Sequence, residues 1–242
     1  MKYIPNLEYK KNLYLDLFLP DEECFSLIVH FHGGGLVEGD KGDTYEFVKH
    51  LVNKGYGVAT ANYSLLPNNK YPSFIIDAAD AVKFSKDYVS KLANIKELLI
   101  SGQSAGAYLT LMLCFDYHYL KDIGIDPNEI SLFISDSAQP TVHFNILKYE
   151  RNLPSDLVLI DETCPMYYVN KNTSNSRLIL FTYTNDIPNR MEQNKALFKK
   201  IKECNKDAPV TLKILLGYHC QGSSEVDLND GEYPLIKELL KY

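Results

Sequence analysis

Gly102-Gln103-Ser104-Ala105-Gly106 has the spacing G-x-S-x-G and stands where a strand-length apolar run, Glu97 to Ser101, meets an apolar stretch of helical length from Ala105 to Phe115. That spacing at a strand-to-helix turn projects the serine hydroxyl above the sheet, and the glycines relieve crowding around the strained turn. Ser104 is therefore the candidate nucleophile. A serine hydroxyl attacks an acyl carbon only if a base takes its proton and donors receive the oxyanion that forms. The stretch His30-Phe31-His32-Gly33-Gly34-Gly35 offers those donors. Backbone N–H groups of Gly34 and Gly35, joined by that of Ala105, can point at the oxyanion. Three glycines in a row cost backbone entropy and mark a close approach. The approaching atom is read here as an oxygen that gains negative charge. The loop has neither the G-x-G-x-x-G spacing nor the G-K-[ST] ending of phosphate-binding loops. His32 is assigned to holding it.

The base should follow the serine and the acid, because triads at such a turn run in the order Ser, Asp or Glu, His. Of six histidines (His30, His32, His50, His118, His143 and His219), only His219 follows a late strand-like run, "VTLKILLGYHC". The acid must accept the other imidazole N–H and fix its tautomer. Asp186, after "RLILFTYTN", is assigned that role, with Asp136 after "SLFIS" as the competitor and the neutral Asn185 as second choice.

These residues need a scaffold that brings distant strand ends together. Leu13 to Leu19 alternates like a half-buried strand, whereas residues 26–31, 57–61, 97–101, 131–135, 177–183 and 210–216 are nearly continuous apolar runs, which suit strands buried on both faces. Helical patterns fill 43–53, 72–91, 105–115, 191–204 and 234–240. Strand and helix in alternation predict an α/β fold, a mostly parallel sheet covered on both faces. The whole chain, 1–242, reads as one domain. Only 139–176 resists the pattern, with three prolines and one short patterned piece at 156–160. A connection that long is usually functional, and a short cap over the site is the expectation.

Composition narrows the remaining possibilities. The chain of 242 residues is long enough to bury a core without disulfides or metals, and its five cysteines are scattered, odd in number and form no C-x-x-C pair. They are read as reduced. A formal net charge of −6 with no basic cluster lacks the electrostatic footprint of a nucleic-acid binder. No apolar run has the length of a membrane span and no signal peptide is seen, so neither nucleic acid nor membrane is an expected partner and the cytoplasm is the expected location.

Taken together, the motifs resemble the α/β-hydrolase superfamily, in its HGGG esterase branch. That branch includes hormone-sensitive-lipase-like carboxylesterases, bacterial feruloyl-esterase-like and acetyl-esterase proteins, and kynurenine formamidases. "LYLDLFLP" looks like their opening strand, "HFHGGGLVEGDK" like their oxyanion loop, "ANYSLLPNNKYPSFIIDAADAVKF" like their Y-R-L-x-P segment, and "GQSAGAYL" like their nucleophile turn. The resemblance implies Ser104, Asp186 and His219 as the catalytic residues, Gly34, Gly35 and Ala105 as oxyanion donors, and no metal or organic cofactor. It implies hydrolysis of short-chain esters, acetyl esters among them. An arylformamidase is the alternative enzyme, and a catalytically silent hydrolase fold used for binding is the alternative of another class. Three positions depart from the pattern: Leu36 where an aromatic often follows the glycines, Ser64 in place of the arginine, and "HCQGSS" after the base.

Overall fold

The structure, a computed structural model, describes residues 1–170 and 177–241. Eight strands form one sheet: β1 (Lys2–Lys10), β2 (Leu13–Leu19), β3 (Cys24–Phe31), β4 (Gly57–Ala61), β5 (Asn94–Gln103), β6 (Ile130–Asp136), β7 (Arg177–Asn185) and β8 (Val210–Tyr218). Their spatial order is β1-β2-β4-β3-β5-β6-β7-β8. Strands β1 and β2 run antiparallel to their neighbours, and the other six are parallel. The continuous apolar runs are the parallel strands, as their two-sided burial requires.

Side chains alternate across the sheet at every second residue. Leu27 and Val29 of β3 face the layer made by α2 (Ser73–Val89), α3 (Ala105–Phe115) and α7 (Arg190–Cys204), while Ile28 faces α1 (Tyr45–Asn53) and α9 (Pro234–Leu239). Every residue of α3 is buried, so the helix that follows the serine is the hub of the larger core. Short helices α4 (His118–Asp122), α5 (Phe144–Arg151), α6 (Pro165–Tyr168) and α8 (Gln221–Ser224), with 3-10 turns at Lys41–Thr44 and Pro127–Glu129, complete the described elements.

Strand β1 is absent from the sequence reading. Most of its residues are exposed, Asn6 takes a left-handed φ of 55°, and the register with β2 slips twice, so no period-two pattern survives. It nevertheless does structural work. Lys10 Nζ donates to Asp77 Oδ1 at 2.7 Å and Asp80 Oδ2 at 2.8 Å, and the Ser64 N–H and hydroxyl both donate to Asp77 Oδ2. The cation missing at position 64 is thus supplied from β1.

Segment 139–170 is partly woven into the core rather than laid over it. Val142, Ile146, Leu147, Cys164, Met166 and Val169 are buried, and Tyr108 of α3 donates to the Thr163 carbonyl at 2.6 Å. The helix α5 was missed because it is short and capped by an unusual residue, His143, whose Nδ1 accepts the Asn145 N–H at 3.2 Å. Residues 156–160 form no strand, and Leu157, Val158 and Ile160 are exposed. The remainder of the expected cap, 171–176, lies outside the described residues.

Candidate active site

Ser104 sits between β5 and α3 with φ 52° and ψ −111°, a conformation that costs an L-residue energy and persists only where its surroundings impose it. The imposition is steric. A Cβ on Gly106 would lie 2.1 Å from the Phe31 carbonyl oxygen, and one on Gly102 would lie 2.3 Å from the Gly106 backbone. Any side chain there would push the helix off the ends of β3 and β5. The Ser104 N–H is spent on the Asp136 carbonyl of β6 at 2.8 Å, which fixes the turn to the next strand.

His219, just past β8, reaches this turn with one side-chain edge open to solvent. Its Nε2 lies 2.9 Å from Ser104 Oγ and its Nδ1 lies 2.5 Å from Asp186 Oδ1. The structure thus brings together all three residues of the predicted triad. Asp136 and Asn185 make no such contact: Asn185 is exposed, and Asp136 is buried against Tyr183 and Ser223, whose hydroxyls donate to it at 2.9 and 2.5 Å.

The two carboxylates differ in acidity as well as place. Burial pushes Asp186 up, but His219, the Ile187 N–H and the Ser137 hydroxyl together outweigh it and hold the carboxyl below its ordinary range. Burial dominates at Asp136, which is pushed up to about 6 despite its two hydroxyl donors. Asp186 is consequently the more acidic of the two, and it is the one bonded to the imidazole.

The loop after His219 is anchored by the residues that depart from the family pattern. The Cys220 N–H donates to Ser137 Oγ at 3.3 Å, the Gly222 N–H to the Tyr183 hydroxyl at 2.9 Å, and the Ser223 hydroxyl to Asp136. Ser137 itself is left-handed, with φ 59°, and donates to Asp186 Oδ2 at 2.9 Å while Thr182 donates to the same oxygen at 3.2 Å. Sequence reasoning missed Ser137 and Thr182, whose only signal is proximity to a strand end.

The glycine loop is tied through its carbonyls. His32 Nδ1 lies 2.8 Å from the Gly33 carbonyl, and its ring stacks on Tyr63 with centroids 4.4 Å apart. Burial pulls the His32 pKa down, which suits the holding role assigned to it. The Gly34 carbonyl accepts from Val37 and Glu38, and the Gly35 carbonyl from Asn145 Nδ2 at 2.6 Å. Among the described residues, neither the Gly34 nor the Gly35 N–H is spent on a hydrogen bond. Gly34 also has a local cause: a Cβ there would lie 2.0 Å from the Glu38 carbonyl oxygen of its own turn. Gly33 packs on the nucleophile, where an added Cβ would sit 3.4 Å from Ser104 Cβ. Ala105 begins α3, whose first N–H groups have no partner within the helix.

Known proteins resemble this chain in sequence and in fold. Residues 15–147 match the model of the BD-FAE family. Esterase LipI of Mycobacterium tuberculosis is 30% identical over 111 residues, which cover 45% of this chain and 33% of that protein. Probable carboxylesterase 13 of Arabidopsis thaliana is 31% identical over 120 residues, covering 41% of this chain and 36% of that one. These matches span about a third of the curated relatives' lengths. Esterase B from Lactobacillus rhamnosis superposes with a TM-score of 0.80 at 18% identity, over 99% of this chain and 83% of its own. Esterase 2 of Thermogutta terrifontis superposes with a TM-score of 0.72 at 19% identity, over 96% and 87%. At such identities the likeness is one of fold.

Proposed function

The chain belongs to the BD-FAE family and has the α/β-hydrolase fold, and on that premise we propose that it hydrolyses short-chain carboxylic esters through an acyl-enzyme on Ser104. The observation that carries the reading is the unbroken relay from Ser104 Oγ to His219 Nε2 at 2.9 Å and from His219 Nδ1 to Asp186 at 2.5 Å. As Ser104 Oγ bonds to the ester carbonyl carbon, its proton passes to His219 Nε2, and the carbonyl electron pair moves onto oxygen. The N–H groups of Gly34, Gly35 and Ala105 receive that oxyanion. Collapse breaks the bond to the alcohol, which leaves with the proton from His219. Water, deprotonated by the same imidazole, then attacks the acyl carbon and frees Ser104. Asp186 stays ionised throughout and stabilises the imidazolium.

A groove of about 290 Å³ whose wall includes Ile187, the residue after Asp186, supports the preference for small acyl groups, because pockets for drug-sized ligands start near that volume and extend to about 1,000 Å³. The test is hydrolysis of p-nitrophenyl acetate, butyrate and octanoate by the wild type and by Ser104→Ala. Acetate and butyrate should exceed octanoate, and the variant should lose at least about a thousandfold in kcat/KM. Wild-type rates no higher than the variant's on all three esters would overturn the proposal.

A further inference from the structure

A groove is lined by neighbours of both halves of the site. Phe144 on one wall packs on the oxyanion loop, 3.4 Å from where a Cβ on Gly35 would sit, and Ile187 on the other directly follows Asp186. The rest of the lining sets polar Gln139, Arg190 and Gln193 among apolar Leu157 and Pro188. Arg190 is only 3% exposed, yet among the described residues it forms no ion pair. One guanidinium nitrogen donates to the Ser137 carbonyl at 2.6 Å, and another reaches Gln139 Oε1 at a long 3.4 Å. These two contacts leave most of its five N–H donors uncommitted. Gln193, one turn further along α7, has a buried Oε1 without a partner among the described residues.

A buried guanidinium with no ion-pair partner is costly, and burial accordingly pulls its pKa down, with Asp186 and Cys220 opposing. Clamping one carbonyl explains little of that cost, since a neutral amide donor would serve. A carboxylate entering the groove would supply the missing counter-charge and meet a planar fork of donors, the arrangement that reads carboxylates best. The Gln193 amide, in its other orientation, adds an N–H to the same set. Asp156, which also lines the groove, is exposed at the rim, where water screens it.

We infer that Arg190 makes this groove a carboxylate subsite, so that the preferred substrates are short esters bearing a free carboxylate at the end remote from the scissile bond. The inference rests on the ester-hydrolase reading for catalysis but not for binding. Two pairs of esters test it: the mono-p-nitrophenyl ester of glutaric acid against p-nitrophenyl pentanoate, and acetoxyacetate against 2-methoxyethyl acetate. They present the carboxylate on the acyl and on the alcohol side respectively. The wild type should favour the anionic member of at least one pair by about tenfold or more in kcat/KM, and Arg190→Gln should bring that ratio towards one. A ratio at or below one in both pairs, with the neutral esters turned over, would overturn the subsite and leave the hydrolase reading intact. Binding is read separately in Ser104→Ala protein, where millimolar glutarate or glycolate should raise the melting temperature and should not once Arg190→Gln is added. Absence of any shift with either anion would overturn the subsite whatever the catalytic result.

Discussion

The turn that carries Ser104 and the loop that carries Asp186 face the same task, holding one side chain still at the end of a parallel strand, and they meet it differently. At Ser104 backbone packs on backbone: Gly102, Gly106 and the end of β3 are so close that no side chain fits between them. At Asp186 side chains from distant parts of the chain converge, with Ser137, Thr182 and His219 all bonded to its carboxylate. The first device is written in five consecutive residues. The second is assembled only when β6, β7 and the loop after β8 lie side by side.

The comparison predicts that the second device is the chemically specific one. Asp186→Asn should lower kcat/KM for a short ester by about 10³- to 10⁴-fold, as expected when an imidazole loses its orienting charge, whereas Asp136→Asn should cost less than about tenfold. Equal losses in the two variants, in steady-state assays on the same ester, would mean that the acid has been misassigned. The first device should fail as a unit. Gly106→Val puts carbon atoms within 2.1 Å of the Phe31 carbonyl, and urea unfolding should report a loss of about 3 kcal/mol or more.

The two buried carboxylates should also leave opposite marks on stability. Asp186, held below its ordinary pKa, contributes stability above about pH 4 that is lost as pH falls. Asp136, raised from 3.8 to about 6, contributes in the opposite sense: its stabilisation of the fold is complete below about pH 4 and disappears as pH rises through 6. Asp136→Asn should therefore gain stability relative to the wild type between pH 4 and pH 7, by an amount on the order of 2 to 3 kcal/mol at most. Denaturant titrations of both proteins across that range check the sign, and a difference independent of pH would contradict it.

A smaller effect is expected where a side chain serves the glycine loop from afar. Asn145→Leu removes the donor to the Gly35 carbonyl, so the adjacent N–H groups lose a restraint on their aim. A fall of about tenfold in kcat, with little change in KM, is the expected signature of an interaction felt mainly in the transition state.

The same contrast explains what could be read in the sequence. Ser104, the parallel strands and the glycine loop are encoded by local spacing and by runs of apolar residues, and each lies where that spacing puts it. His219 and Asp186 were reached through chain order at strand ends, and the structure joins them to Ser104. Choosing Asp186 over Asp136 physically depends on where Tyr183 and Ser223 point, which no local pattern records. Arg190, Asn145, Ser137 and Lys10 act on partners 49 to 110 residues away. Strand β1 escaped because an exposed edge strand with a bulge has no face to bury.

The central claim is that Ser104 is an activated nucleophile, and covalent labelling tests it most directly. Wild-type protein treated with a fluorophosphonate should gain one adduct, located by peptide mass mapping on Ser104, while His219→Ala protein should label far more slowly because its serine keeps its proton. An unlabelled wild type, or an adduct on any other residue, would contradict the account.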